Sequence, residues 1–348
     1  MQKGDVKEMK KACLALAMSA VAVFAAFANG QKEAAYPEKA ITMIIPYGAG
    51  GTTDIHGRQF AIQLQKQLGK PVTVVNQGGA SGSKGCKTVL DAAPDGYTVL
   101  FTAESLGTQR VVGLSEMSYN DFAPIMAVTN DPKVIVVGKD SKYKTLQDLL
   151  DDMKANPGKV KMSYTGPGGS GHVQGLVMEK LGYKPAYTAY SGGADCILAV
   201  LSKQVDFTNS NYSTIVGYLK SGDLRLLAVS GATRLPSYPD VPAFGEVDKN
   251  AVPYMKNAFT PLNFLVSKNV PADIQKILRQ AALKAVKDPE WVKFVNDNCA
   301  EKLYEAYPEI DDINKYYKDW ESMVSWMLYD AGVAKFSPEK FGIAKPAQ

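Results

Sequence analysis

The sequence is poor in the residues that hold metals and staple small folds. Its 348 residues include two histidines, His56 and His172, and four cysteines. The histidines lie far apart, and no Cys-x-x-Cys or His-x-x-x-His spacing offers a tetrahedral set of ligands, so no metal and no cofactor is expected. Charge of one sign is also scarce: 39 Lys+Arg stand against 35 Asp+Glu, a formal +4. No basic run with interleaved aromatics occurs, which sets nucleic acid aside. Low-complexity tracts and repeats of fixed period are missing too. What is present is a 46% hydrophobic composition, ample for a buried core, over a length that suggests about two domains.

The first thirty residues are a different material. Met1 to Lys11 carry four lysines beside Asp5 and Glu8, and an apolar run from Ala12 to Ala28 follows. This is the pattern of an export signal over residues 1–30, with cleavage expected near residues 28–30 at small residues such as Ala26, Ala28 and Gly30. The run falls short of the ~20 residues of a bilayer span. No lipobox cysteine follows it, and Cys13 lies too early to serve as one. Without this segment, 35 basic and 33 acidic side chains remain, net +2. Cys86, Cys196 and Cys299 also remain, each expected on a helix among small or apolar neighbours as a buried, unpaired thiol.

From Lys39 the pattern is strand, glycine loop, helix, repeated. Ala40–Ile45, Val72–Val75 and Tyr97–Thr102 read as strands, and Gly57, Phe60, Ala61, Leu64 and Leu68 recur at helical spacing. Ile125–Val128 and Val134–Val137 flank Asn130-Asp131-Pro132, an apparent crossing. Further strands are expected at Val160–Tyr164, Tyr187–Tyr190, Val205–Thr208, Leu224–Val229 and Phe259–Val266, with a helix-rich C-terminal part from Pro271. Such alternation argues for parallel βαβ units in an α/β fold.

Three loops share one design: Pro46 to Asp54, Gly78 to Ser83, and Thr165 to His172. Each follows a strand and precedes a helix, where glycines let N–H groups converge and the helix N-terminus supplies partial positive charge. They are candidate anion cradles that need no arginine. Nucleotide motifs fail letter by letter. Gly48-x-Gly50 runs on to Thr53 where a dinucleotide fingerprint needs Gly, and no Gly-x-x-x-x-Gly-Lys-Ser/Thr occurs. A Gly-x-Ser-x-Gly elbow fails at Ser83, and Ser170 has Gly168 and His172 at its ±2 positions.

These segments together resemble the substrate-binding proteins of tripartite tricarboxylate transporters, the TctC or Bug family. The resemblance rests on Tyr36-Pro37 to Ile45-Pro46, Gly50-Gly51-x-x-Asp54, Ala93-Pro94-Asp95-Gly96-Tyr97-Thr98 and Asp121-Phe122-x-Pro124-Ile125. It continues through Asn156-Pro157-Gly158, Gly166-x-Gly168-x-Ser170-x-His172, Tyr190-x-Gly192-Gly193-Ala194, Gln204-Val205-Asp206 and Arg234-Leu235-Pro236. It covers nearly the whole chain after the export segment.

The resemblance implies a two-lobed, periplasmic-binding-protein-like fold of the type II, Venus flytrap kind, with parallel-rich sheets flanked by helices around a central cleft. Lobe 1 would comprise residues 36–132 and 259–348, and lobe 2 residues 133–258. The family's contacts carry over to Tyr47, Gly48, Ala49, Gly50, Gly51, Thr53, Thr102 and Glu104 in the first lobe. In the second they carry over to Gly168, Gly169, Ser170, Gly171, His172, Tyr190, Gly192, Gly193, Ser210 and Asn211. The implied function is a periplasmic, monomeric receptor without catalytic activity. It would capture a small carboxylate, whether di- or tricarboxylate, aromatic acid or amino acid, and pass it to large and small membrane subunits of a secondary transporter. Two other readings remain open: a ligand sensor for a two-component kinase, and an exported carboxylate-processing enzyme using Ser170, His172 and Asp54. The sequence departs from the family at Ala49, where Pro is usual, at Gly57, where Ala is usual, at Gln77-Gly78-Gly79 and at Thr260–Asn263. Glu104 stands where small or hydroxyl residues are common. Either it points away from the ligand, or the ligand carries a cationic group.

Overall fold

The computed structural model describes residues 36–257 and 260–346. The expected export segment with its cleavage sites lies outside the described residues, as does Phe259. The elements below all lie in one unit that begins at Lys39.

Two sheets form the frame. The first has the order β11-β4-β10-β3-β1-β2, built from β1 (Ile41–Ile45), β2 (Val72–Asn76), β3 (Thr98–Thr102), β4 (Phe122–Asp131), β10 (Thr260–Ser267) and β11 (Glu301–Lys302). The second has the order β7-β6-β8-β5-β9, from β5 (Lys133–Gly138), β6 (Lys161–Tyr164), β7 (Ala186–Ala189), β8 (Phe207–Asn211) and β9 (Leu224–Val229). Inner strands such as β1, β3 and β5 are near-continuous apolar runs because they are covered on both faces, whereas the edge strand β2 alternates in burial.

The parallel βαβ runs expected from the alternation are there: β1 pairs in parallel with β2 and β3, and β6 with β7 and β8. The expectation of parallel-rich sheets needs correction beyond those runs. β10 inserts antiparallel between β3 and β4, and β5 inserts antiparallel between β8 and β9. Both are strands adjoining a crossing between the sheets, and a chain that enters a sheet from its neighbour runs against the strands already there. At one crossing Pro132 alone separates β4 from β5.

Helix α1 (Thr52–Leu68) is anchored by Phe60, fully buried, whose ring lies 5.6 Å from Phe101, 5.3 Å from Phe264 and 5.6 Å from Trp291. Burying one such ring contributes about 1.5–3 kcal/mol. Helix α2 (Ser83–Asp91) follows β2. In the second sheet, α3 (Leu146–Ala155) starts at a capping box, Thr145 with Asp148, and packs Leu149, Leu150 and Met153 against Ile135, Met162 and Phe207. The opposite face packs Val134 and Val136 against Ile197, Val200 and Ile215, from α5 (Gly193–Leu201) and α6 (Tyr212–Ser221). Between them in sequence, α4 (Ser170–Lys180) follows β6. The C-terminal part is helical as expected, with α7 (Ala272–Ala285), α8 (Pro289–Asp297) and α9 (Ile310–Asp330).

Cys86, Cys196 and Cys299 are all free. Cys86 and Cys196 are buried in α2 and α5, but Cys299 sits past the end of α8, half-buried, with φ +51°. The expected helix stops one residue short of it at Asn298, whose side chain bonds back to the Phe294 carbonyl. Among the described residues, no helix is long and apolar enough to cross a membrane.

Candidate functional site

Four helices, α1, α4, α5 and α6, start at the edge of one cleft between the two sheets. Their N-cap residues are Gly51, Gly169, Gly192 and Asn211, and none of the four makes a side-chain cap hydrogen bond. All four residues line the cleft. A helix of such length leaves its first N–H groups unpaired and positive, so the cleft is walled by four partial positive charges. The glycines at two of these caps also approach each other across the cleft. A Cβ on Gly48 would lie 4.0 Å from Gly192 Cα, and one on Gly51 would lie 3.6 Å from Gly193 N, so two glycine loops from different sheets meet almost backbone to backbone.

Two of the four N-termini already hold an internal carboxylate. The Ser170 N–H at the start of α4 donates to Glu104 Oε1 at 2.5 Å. Glu104 is 3% exposed and its Oε2 is buried without a partner. At the start of α6, the Ser213 N–H donates to Asp131 Oδ1 at 3.4 Å, while the hydroxyls of Ser213 and Thr52 both donate to Asp131 Oδ2. Asp131 is the last residue of β4, so one carboxylate at the crossing ties α1 of the first sheet to α6 of the second. His56, fully buried, places Nε2 3.5 Å from the same oxygen.

The cleft also contains a buried cation. Lys133, 5% exposed, donates from Nζ to the Asn209 carbonyl and to Asn211 Oδ1, each at 3.2 Å. Burial holds its ammonium below the usual lysine range, against the pull of Glu104 in the other direction. With two of its three donors used, one N–H is left for a ligand.

Of the expected site residues, Tyr47, Gly48, Gly51, Thr53, Glu104, Gly169, Ser170, Gly171, Gly192, Gly193, Ser210 and Asn211 line this one cleft. Glu104 does not point away from it. Six others do not line it. Ala49 and Gly50 form the exposed tip of their loop. Thr102 is buried under it, with its hydroxyl turned to the Ala103 carbonyl. Gly168, with φ +79°, packs where a Cβ would sit 2.6 Å from Thr108 Oγ1, and the Thr108 hydroxyl donates to its carbonyl at 3.0 Å. His172 is enclosed by the rings of Tyr164 and Tyr187. Its Nδ1 accepts the Gly168 N–H at 3.3 Å, and burial lowers its pKa. Tyr190 packs on the core of the second sheet and donates its hydroxyl to Gln204.

Sequence reasoning missed Lys133, Tyr164, Cys196, Ser105, Thr208, Asn209 and Thr260, all of which line the cleft, while Thr52, Ser81 and Thr165 lie there within the three candidate loops. One signal was legible: Thr208-Asn209-Ser210-Asn211 puts four polar residues in a row on a fully buried strand, which a purely structural strand avoids.

The trio of a rival enzyme is dispersed. The Ser170 hydroxyl pairs with Thr260 Oγ1 at 2.9 Å, and His172 is spent on Gly168. Asp54 receives the Gly50 N–H, Arg58 and Asn76. Burial raises the Asp54 pKa, but these hydrogen bonds outweigh it and hold the carboxyl below its ordinary value.

The loops bridge the two halves of the cleft. The Ser81 hydroxyl donates to the Pro167 carbonyl at 3.1 Å and the Thr108 hydroxyl to the Gly168 carbonyl at 3.0 Å, while within the first half the Tyr47 hydroxyl meets Ser105 Oγ. Little free space is left inside, about 60 Å³.

This arrangement has close counterparts. The family described as "Tripartite tricarboxylate transporter family receptor" matches residues 57–325. A UPF0065 protein of the TAR-I ttuE-ttuC′ intergenic region of Agrobacterium vitis is 30% identical over 263 residues, 74% of this chain and 75% of that protein. The solved structure of the periplasmic binding protein BugD superposes with a TM-score of 0.80 at 26% identity, over 86% of this chain and 99% of that one. MatC from Rhodopseudomonas palustris with bound malate shares the fold, with a TM-score of 0.76 at 21% identity over 84% of this chain and 100% of its own. The α/β architecture is therefore that of the periplasmic binding proteins, and the chain belongs to the tripartite tricarboxylate transporter receptor family.

Proposed function

We propose that the protein is a periplasmic solute receptor that closes over a small carboxylate and presents it to the large and small membrane subunits of a secondary transporter. The two sheets with their helices act as lobes, residues 36–132 with 259–348 and residues 133–258, hinged at the crossings. The observation that carries the reading is the convergence of four helix N-termini and one buried lysine on a single cleft. Helix N-termini favour anions, and here they do so from both sides of a gap that must open to admit one. Ligand adds contacts found only in the closed form and so shifts the population toward it. The closed form is what the membrane subunits would read. MatC, solved with malate, is a distant relative whose ligand chemistry fits this reading.

A thermal-shift panel of di- and tricarboxylates, aromatic acids and amino acids tests it, using protein unfolded and refolded to strip retained ligand. At least one acid should raise the melting temperature, and Gly51→Val should abolish that rise, because its Cβ would already touch Gly193 N at 3.6 Å and its methyl groups would press beyond that contact. No rise with any acid removes the proposal.

A further inference from the structure

Resting on the receptor reading above, we infer that the ligand is a zwitterion, a carboxylate that also carries an ammonium group, and that Glu104 is the residue that selects it.

The α4 N-terminus is taken by Glu104 through the Ser170 N–H. The α6 N-terminus is taken by Asp131 through the Ser213 N–H. The N-termini of α1 and α5, at Gly51 and Gly192, have no side-chain cap and approach each other across the cleft. A ligand carboxylate therefore belongs at the α1 and α5 end, within the same cleft as the third N–H of Lys133. At the other end it meets Glu104, whose Oε2 is buried with no hydrogen-bond partner. An unpaired carboxylate oxygen in such a place demands a donor. Among the described residues, no ion pair within 4.0 Å neutralises Glu104; Lys133 raises no such contact, being held by Asn209 and Asn211. A second ligand carboxylate placed there would set two anions side by side in a buried site, whereas an ammonium supplies both the charge and the hydrogen that Oε2 lacks.

The test compares amino acids with the same acids lacking the amine: glutamate with glutarate, aspartate with succinate, alanine with propionate. Calorimetry on refolded wild-type protein should show the preferred amino acid binding about 10- to 150-fold tighter than its deaminated partner, the worth of one charge-assisted hydrogen bond. In Glu104→Gln the amide oxygen keeps the Ser170 N–H, and the NH2 replaces the free oxygen with a donor. The ratio should fall to near one or invert, with the dicarboxylates gaining. A wild-type protein that binds the deaminated acids as well or better overturns this inference and leaves the receptor reading standing; so does an unchanged ratio in Glu104→Gln. Binding of neither member of any pair overturns this inference, and the receptor reading falls with it only when the tricarboxylates and aromatic acids of the wider panel are silent too. Should Glu104→Gln fail to fold, as judged by its melting transition, the wild-type ratios decide alone.

Discussion

Replacing Asp131 by alanine probes the carboxylate at the crossing. Its side chain is fully buried and accepts hydrogen bonds from the Thr52 hydroxyl, the Ser213 hydroxyl and the Ser213 N–H. Alanine removes the acceptor from all three. Because Ser213 Oγ lies 3.2 Å from Thr52 Oγ1, one hydroxyl can turn to the other, so about two buried donors are stranded. At about 1–3 kcal/mol for each unsatisfied donor, the cost centres on about 4 kcal/mol. Asparagine keeps one acceptor oxygen and should cost about half as much. Urea denaturation at pH 7, followed by tryptophan fluorescence, reads this directly. With a slope of about 3 kcal/mol per molar for a chain of this size, the midpoint should fall by about 1.3 M for Asp131→Ala. A fall of less than about 0.3 M would show that solvent or rearrangement replaces the carboxylate, and the view of Asp131 as the tie between α1 and α6 would be wrong.

Three further outcomes are expected. Gly85→Ala should destabilise by about 1–3 kcal/mol, as overpacking does, since its Cβ would fall 2.7 Å from the Gln77 carbonyl and 2.8 Å from Pro46 Cα; a melting temperature equal to wild type would contradict it. His172 has a folded pKa lowered by burial, so the unfolded chain binds the proton more readily. Stability from this group is complete above the unfolded value near 6.5, and it is lost as pH falls below that toward the folded pKa. His172→Gln should flatten the urea midpoint between pH 7 and pH 5, and an unchanged slope would assign the pH dependence elsewhere. Burial pushes the Cys86 thiol up to about 12 and the Cys196 thiol up to about 11, so of the three described cysteines the half-buried Cys299 should react first with a disulfide reagent, as peptide mapping of the labelled native protein will show.

The strand and helix order was legible because glycine loops and apolar runs alternate on a fixed local rhythm. Register and direction were not, since the antiparallel insertion of β10 and β5 depends on where the chain crosses, which no local window records. The glycine loops announced themselves by composition. Lys133 did not, because a lysine at the start of a strand next to a proline usually points into water, and only the pairing of β5 with β8 turns it toward Asn209 and Asn211. Tyr190 misled for the opposite reason: it stands two residues from a glycine that does line the cleft, but its ring packs behind the strand. Asn130-Asp131-Pro132 was legible as a crossing, but the role of Asp131 as the acceptor at which two helices begin was not. Glu104 was visible as an oddity of sequence, and geometry supplied its partner.

The insertion of β10 between β3 and β4 also orders the assembly of the chain in time. Every strand of the second sheet lies between Lys133 and Val229, so that sheet can complete itself once this stretch is available. The first sheet cannot. Until Thr260–Ser267 arrives, β3 and β4 have no strand between them, and β4 lacks both of its neighbours. A chain delivered from its N-terminus therefore holds its first strands in waiting, exposed along their edges, while the later-made sheet folds ahead of them. The cleft is the last thing to form, because half of its wall waits on the final quarter of the sequence.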